Sequence, residues 1–324
     1  MNKKRLQEII KKFPKKKILV IGDLILDEFI WGTVDRISPE APVPVVWVNS
    51  ESFMPGGAAN VANNITSLNG KAFICGLVGK DKNADLLINE LKKKGVEASG
   101  IIVDSQRPTI LKTRIIAHHQ QVVRIDREKL DGIDDNILEQ ILCFVREKID
   151  EIDGLIIEDY GKGLIVPRLL SQLVPLARKH KKIITVDPKV EHFSYYQGVT
   201  SLTPNQKEAE YGSSIKIKTD ADINQAGKKL IKELNSESIL ITLGENGMRL
   251  FERNGKFTHI PTVAKEVFDV SGAGDTVIAV FTLSLASGAT FLEAAQLANF
   301  AAGIVVGKVG VAVTTREELL ESIK

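Results

Sequence analysis

Two cysteines, Cys75 and Cys143, are all that the 324 residues contain. A disulfide framework needs more, and both thiols lie in apolar stretches, so both are expected as reduced core residues. Excess charge of one sign is also missing. The formal net charge is +2 at pH 7, too weak a field to argue for a nucleic-acid partner. The one basic cluster (Lys3, Lys4, Arg5, Lys11, Lys12 and Lys15 to Lys17) reads as a solvated first helix. No apolar segment of signal-peptide type follows it, and no apolar run free of polar residues reaches membrane-spanning length. A cytoplasmic protein without a membrane partner is expected. Internal repeats and low-complexity segments are absent. So is the phosphate-binding loop G-x-x-x-x-G-K-[ST], and no G-x-G-x-x-G follows a strand, which argues against a dinucleotide cofactor.

What is present is a hydrophobic content of 44%, enough for one large α/β domain or two small ones. Lys17 to Gly22, Lys71 to Leu77, Gly154 to Ile157, Ile183 to Val186, Ser201 to Thr203 and Ser238 to Thr242 read as strands. Between them, apolar residues recur at helical spacing: Ala84, Leu87, Ile88 and Leu91; Leu138, Ile141, Leu142, Val145 and Ile149; and a helix at about 221–234. Such alternation predicts a mainly parallel sheet with helices on both faces. Thr290 with Glu293, and Thr314 with Glu317, read as capping boxes of the last two helices. Residues 28–55 break the rhythm. They are Pro-rich and β-prone, and Ile30, Trp31, Val43, Val45, Val46 and Trp47 predict a small separate sheet that needs a cover, from the main domain or a second subunit. Two further strands, Thr109 to Ala117 and Gln120 to Asp126, are candidates for the same insertion. The expected organisation is one domain over 1–324 with a β lid.

Polar clusters fall repeatedly just after strands: Asp23 with Asp27, Glu158 to Gly163, Asp187-Pro188-Lys189, Pro204 to Glu208, and Leu243 to Gly247. These loops should gather along one sheet edge, where α/β folds hold ligands. The most informative stretch is Asp269-Val270-Ser271-Gly272-Ala273-Gly274-Asp275-Thr276, at the mouth of the apolar run Val277 to Ala286. If the run is helical, the amides of Gly272 to Asp275 sit at a helix N-terminus and favour an anion. A carboxylate beside an anion hole makes sense if it takes a proton from a hydroxyl attacking that anion. The alternative is a glycine turn with Asp275 as helix cap. A second glycine pair, Gly56-Gly57-Ala58-Ala59-Asn60, opens a helix of small residues that a ligand can approach closely.

Gly56 to Asn60 and Asp269 to Thr276, in that order on an alternating chain, resemble the two signatures of the ribokinase-like (PfkB) carbohydrate kinases, over essentially the full length. The resemblance implies ATP and Mg²⁺, and a role for each matching position. Asp275 becomes the general base, with Gly272, Ala273 and Gly274 as the anion hole. Asn205 and Glu208 match the N-x-x-E element that organises Mg²⁺, through water as that ion prefers. Thr242, Gly244, Gly247 and Asn299 fall where the family holds ATP, and Lys189 is in reach of a nucleotide phosphate. Asp23, Asp27, Gly56, Gly57 and Asn60 match the sugar site. A narrower likeness, to the bacterial heptose 7-phosphate kinases of ADP-heptose synthesis, lies in Arg36 to Val45, Glu158 to Gly163 and Asp187 to Lys189. It implies a stand-alone kinase acting at the anomeric hydroxyl, and the apolar, Pro-bounded strand pattern of residues 28–50 predicts a homodimer through the β lid. Lys112, Arg114, Arg124 and Lys162 are then the candidates to hold the substrate's existing phosphate. Two positions depart from that pattern: Ser271 where Thr is common, and Glu158 where Ser is usual. Other acceptors of the same family (ribose, fructose, another sugar phosphate, a nucleoside) and a non-catalytic sugar-binding regulator remain open.

Overall fold

The computed structural model describes residues 2–118, 120–264 and 266–323. Its strands are β1 (Lys17–Gly22), β2 (Leu24–Ile37), β3 (Pro44–Gly57), β4 (Lys71–Val78), β5 (Glu97–Val103), β6 (Ile110–Ala117), β7 (Gln120–Arg127), β8 (Gly154–Glu158), β9 (Ile183–Asp187), β10 (Ser201–Leu202), β11 (Ser238–Thr242), β12 (Met248–Glu252) and β13 (Phe257–Ile260). Nine of them form one sheet in the order β13-β12-β11-β10-β9-β8-β1-β4-β5, parallel except for β12, which runs antiparallel to both its neighbours. A strand buried on both faces must be apolar throughout, and β1 shows why. Ile18 and Val20 join one core cluster, while Leu19 and Ile21 join the other. Helices Ala58–Ser67, Lys82–Lys93, Ala273–Ala286 and Phe291–Val305 fill the first cluster. Helices Asp135–Lys148, Pro167–Lys179 and Asp220–Leu234 fill the second. The helix Ala273–Ala286 is buried on every side from Asp275 to Leu285, which explains an apolar run with no polar face.

The predicted insertion is a four-stranded sheet, β3-β2-β6-β7, which unites residues 28–55 with 109–126 in one layer. Only Asp23 separates β1 from β2, so the chain passes directly from the large sheet into the small one. Near that junction Leu24, Ile25 and Leu26 are buried. Farther out Ile37, Trp47, Val48 and Ile125 are each more than half exposed.

Three expectations need correction. Cys143 is exposed, because the core positions 137, 138, 141, 142 and 145 leave it on the opposite side of its helix; only Cys75 is buried. The last capping box is Thr315 with Glu318, one residue later than expected, since Thr314 is buried ahead of the helix. The first helix is not simply solvated: it buries Leu6, Ile9 and Ile10. Strands β5, β12 and β13 add to the expected elements; β5 is an edge strand with only Gly100 buried, so no apolar run marks it. No helix among the described residues is long and apolar enough to cross a membrane.

Candidate active site

The ends of β1, β8 and β9 meet the start of the helix Ala273–Ala286. Gly22 pairs in register with Glu158, and Glu158 with Asp187. Across from them, a Cβ on Gly274 would lie 3.9 Å from Asp187 Oδ2. The helix is capped by Gly272 at φ +77° with no side-chain cap, a conformation suited to glycine. Asp275 therefore does not act as the N-cap. Its buried carboxylate accepts from Asn60 Nδ2 at 2.6 Å and from the Tyr160 hydroxyl at 3.0 Å. Burial pushes its carboxyl up to about 6, against the pull of those two hydrogen bonds. Thr276 Oγ1 donates to Asn64 Oδ1 at 2.8 Å, so the two glycine signatures are tied to each other twice. Of the three residues matched to the anion hole, Ala273 has its N–H turned onto the Val270 carbonyl at 3.2 Å.

The residues matched to the sugar site divide into two kinds. Asp27 is buried and ion-paired with Arg114. Gly56 makes room for it, since a Cβ there would lie 2.2 Å from Asp27 Oδ2. Asp23 instead holds a loop. Its carboxylate accepts the backbone N–H groups of Tyr160 and Lys162, both at 3.0 Å, and of Leu164 at 3.3 Å. Burial still raises its carboxyl to about 6. The four cations share one neighbourhood. In register, Lys112 faces Asp27 and Asp126, and Arg114 faces Arg124. Each already has a carboxylate: Lys112 and Arg124 bind Asp126, and Lys162 binds Glu128 at 2.7 Å.

Thr242, Gly244, Gly247 and Asn299 line one pocket of about 530 Å³, which continues along Ala264, Val267 and Val277 to Ala273 and Gly274. Asn299 steadies its wall by donating to the Pro261 carbonyl at 2.8 Å. Lys189 lies outside that lining, but its charge acts on Glu208. Asn205 and Glu208 form a capping box on the helix Gln206–Ser213, a local reason for the N-x-x-E spacing that the sequence alone did not reveal. Burial raises the Glu208 carboxyl.

Sequence reasoning gave no role to Tyr160 or to the pair Glu158 and Asp187. The polar cluster after β8 was visible, but Tyr160 meets Asp275 across 115 residues, a contact without local signal. Asp159 braces this loop, accepting from His192 Nδ1 at 2.8 Å, Tyr196 Oη at 2.7 Å and Gly161 N at 2.8 Å. Burial and neighbouring carboxylates push both Glu158 and Asp187 well above the usual range.

The large parallel sheet, the appended small sheet and the carboxylate at a glycine-capped helix start define a ribokinase-like α/β architecture. The fold matches that of the Arabidopsis thaliana ribokinase complexed with ribose and ATP (TM-score 0.76, 20% identity, 95% of this chain and 99% of that one). It also matches the Escherichia coli phosphofructokinase-2 in complex with potassium (TM-score 0.79, 18% identity, 95% and 98%). Residues 15–318 match the pfkB family carbohydrate kinase domain, and the chain belongs to that family. It is accordingly a phosphotransferase with a sugar hydroxyl as acceptor and ATP as co-substrate. Among curated relatives, the Bifunctional protein HldE of Geobacter metallireducens is 45% identical over all of this chain and 66% of its own length. That of Helicobacter pylori strain J99 is 47% identical over 94% of this chain and 65% of its own length. The chain thus spans about two thirds of the length of the relatives it matches.

Proposed function

We infer that the chain transfers the γ-phosphoryl group of ATP to the anomeric O1 of D-glycero-D-manno-heptose 7-phosphate, giving the 1,7-bisphosphate for ADP-heptose synthesis, the lipopolysaccharide core precursor. The observation that carries the kinase chemistry is Asp275: a buried carboxylate poised near 6, fixed by Asn60 and Tyr160 beside the end of the pocket lined by Thr242, Gly244, Gly247 and Asn299, to which this reading assigns the nucleotide. It takes the proton of the attacking hydroxyl, while the amides of Gly272 and Gly274 face the transferring phosphoryl group. Asn205 and Glu208 fit a hydrated Mg²⁺, since Glu208 uses Oε2 on the cap and keeps its other oxygen for an ordered water. When bound, the ion neutralises charge on the nucleotide phosphates. Lys189 lies beside Glu208, in place to meet the same phosphates.

The acceptor assignment rests on the heptose-kinase motifs together with the cationic face of Lys112, Arg114 and Arg124 beside Asp27. A charge-assisted contact to phosphate is worth roughly 1.5–3 kcal/mol, about ten- to a hundredfold. Because Lys112 and Arg124 already face Asp126, the substrate must displace a carboxylate, and the low end of that range is expected. Wild type should prefer heptose 7-phosphate over heptose by about tenfold in kcat/KM, mainly through KM, and Arg124→Ala or Lys112→Ala should erode that preference. Equal use of both sugars would remove the heptose-phosphate assignment and leave the kinase standing. No ADP release with any sugar or sugar phosphate would favour a sugar-binding regulator instead.

The small sheet serves as lid and homodimer interface in this reading, since its outer apolar residues are left exposed by the chain itself. Val45→Asp combined with Trp47→Asp should yield monomers in sedimentation and weaken sugar binding. A wild-type chain already monomeric at micromolar concentration would dispose of the interface.

A further inference from the structure

The buried carboxylate of Asp275 is served by two neutral donors, one on each oxygen. Asn60 Nδ2 donates to Oδ2 at 2.6 Å, and the Tyr160 hydroxyl donates to Oδ1 at 3.0 Å. A buried carboxylate stays ionised only where hydrogen bonds to the charged form offset its desolvation. The titratable groups around it do not take over that task. Asp27, from β2, opposes the charge, and Arg114 is already ion-paired with Asp27. Glu158 and Asp187, at the ends of β8 and β9, share a side-chain hydrogen bond and lie well above the usual range, so the pair is neutral by protonation. Glu208 faces Asp187, and Lys189 faces Glu208. The helix Ala58–Ser67 has no titratable side chain, and the helix Ala273–Ala286 has only Asp275 itself.

The two donors are held differently. Asn60 belongs to a helix that packs on the Asp275 helix. Tyr160 belongs to a loop whose backbone is clamped on either side of it. Its own N–H and that of Lys162 donate to Asp23 Oδ2, both at 3.0 Å, and Gly161 N donates to Asp159 Oδ1 at 2.8 Å. Gly161 makes the turn at φ +66°, and Lys162 Nζ is pinned by Glu128 at 2.7 Å. The phenol is thus delivered to a fixed point. Burial and the carboxylates beside it push the Tyr160 hydroxyl well above its ordinary value, so it remains a donor.

We propose that Tyr160 is a positioning residue of the phosphoryl transfer, its hydroxyl holding Asp275 in the ionised form and fixing the direction of its carboxylate. This rests on reading Asp275 as the base. Tyr160 itself touches Asp275 and takes no proton in the reaction.

The test reads the charge on Asp275 directly. The full chain is labelled with [13Cγ]aspartate and titrated by NMR without ATP or sugar, and the Asp275 signal is the one lost in Asp275→Asn. Wild type should titrate at about 6. Tyr160→Phe removes only the hydroxyl. Losing a hydrogen bond to the charged form raises a carboxyl, so the midpoint should rise by at least about one pH unit. The acid limb of kcat should follow, measured with the sugar or sugar phosphate that wild type turns over fastest. The variant's deficit should then be about tenfold greater at pH 5 than at pH 8, with KM for ATP unchanged. A purely structural role would lower kcat equally at every pH. Incorporating 3-fluorotyrosine at position 160 supplies a stronger donor of nearly the same shape. It should move the Asp275 midpoint down, and it serves as the test should Tyr160→Phe fail to fold. An Asp275 midpoint that is unmoved or lowered in Tyr160→Phe, or not lowered by 3-fluorotyrosine, would overturn the proposal. A midpoint that moves while the acid limb of kcat stays in place would instead remove Asp275 as the base.

Discussion

Asn in place of Asp275 is expected to lower kcat by about 100- to 10,000-fold, the usual contribution of a positioned general base. KM for ATP and sugar should change little. The side chain keeps its shape, and the helix keeps its Gly272 cap, so binding has no reason to fail. What disappears is the acceptor for the hydroxyl proton. The same carboxylate sets the pH dependence. It must be ionised to act, and burial raises its carboxyl to about 6. Wild-type kcat should therefore fall tenfold per pH unit well below about 6 and level off above it, the sign expected for a base. Initial rates from a coupled ADP assay between pH 5 and 8 measure both effects. A variant retaining more than about a tenth of wild-type kcat would mean that Asp275 takes no proton.

Asp23→Ala should be the most damaging change outside the reacting groups, and its effect should appear in stability. Three backbone N–H groups of the 160–164 loop lose their acceptor at once. Each buried donor left without a partner costs about 1–3 kcal/mol. A total of about 3 kcal/mol or more follows, which lowers the thermal midpoint by at least about 4 °C in a chain of this size. Tyr160 lies on that loop and touches Asp275, so activity should drop as well. If Asp23 acted only as a sugar ligand, KM for the sugar would rise while the midpoint stayed put. Calorimetry beside steady-state kinetics separates the two.

Much of the architecture is legible because parallel strands buried on both faces must read as runs such as Ile18 to Ile21. Polar residues at their ends then mark the ligand edge. Gly272 and Asp275 are legible for a similar reason: a helix start with a positive φ and a buried acid leaves a short local pattern. Contacts across the sheet edge leave none. Nothing near Tyr160 announces Asp275, and nothing near Glu158 announces Asp187, because the fold alone brings these segments together. Local signals also mislead when they serve two ends. Asn205 and Glu208 have the spacing of a metal-organising element and equally that of a capping box, and the structure displays the cap. For Cys143, the apolar company of Leu142 and Val145 hides a phase error that counting 100° steps would have exposed.

The ties between Asn60 and Asp275 and between Asn64 and Thr276 span 215 and 212 residues. The helix Ala273–Ala286, buried on all sides, packs directly on the helix Ala58–Ser67. During synthesis at about 5–20 residues per second, the ribosome needs roughly 10–40 s to pass from one to the other. For that interval the nascent chain carries the face of β1, β4 and the helix Ala58–Ser67 that the helix Ala273–Ala286 finally covers without that helix in place. Chaperone dependence during translation, and aggregation of chains released before the Asp275 segment is made, follow from that order of appearance.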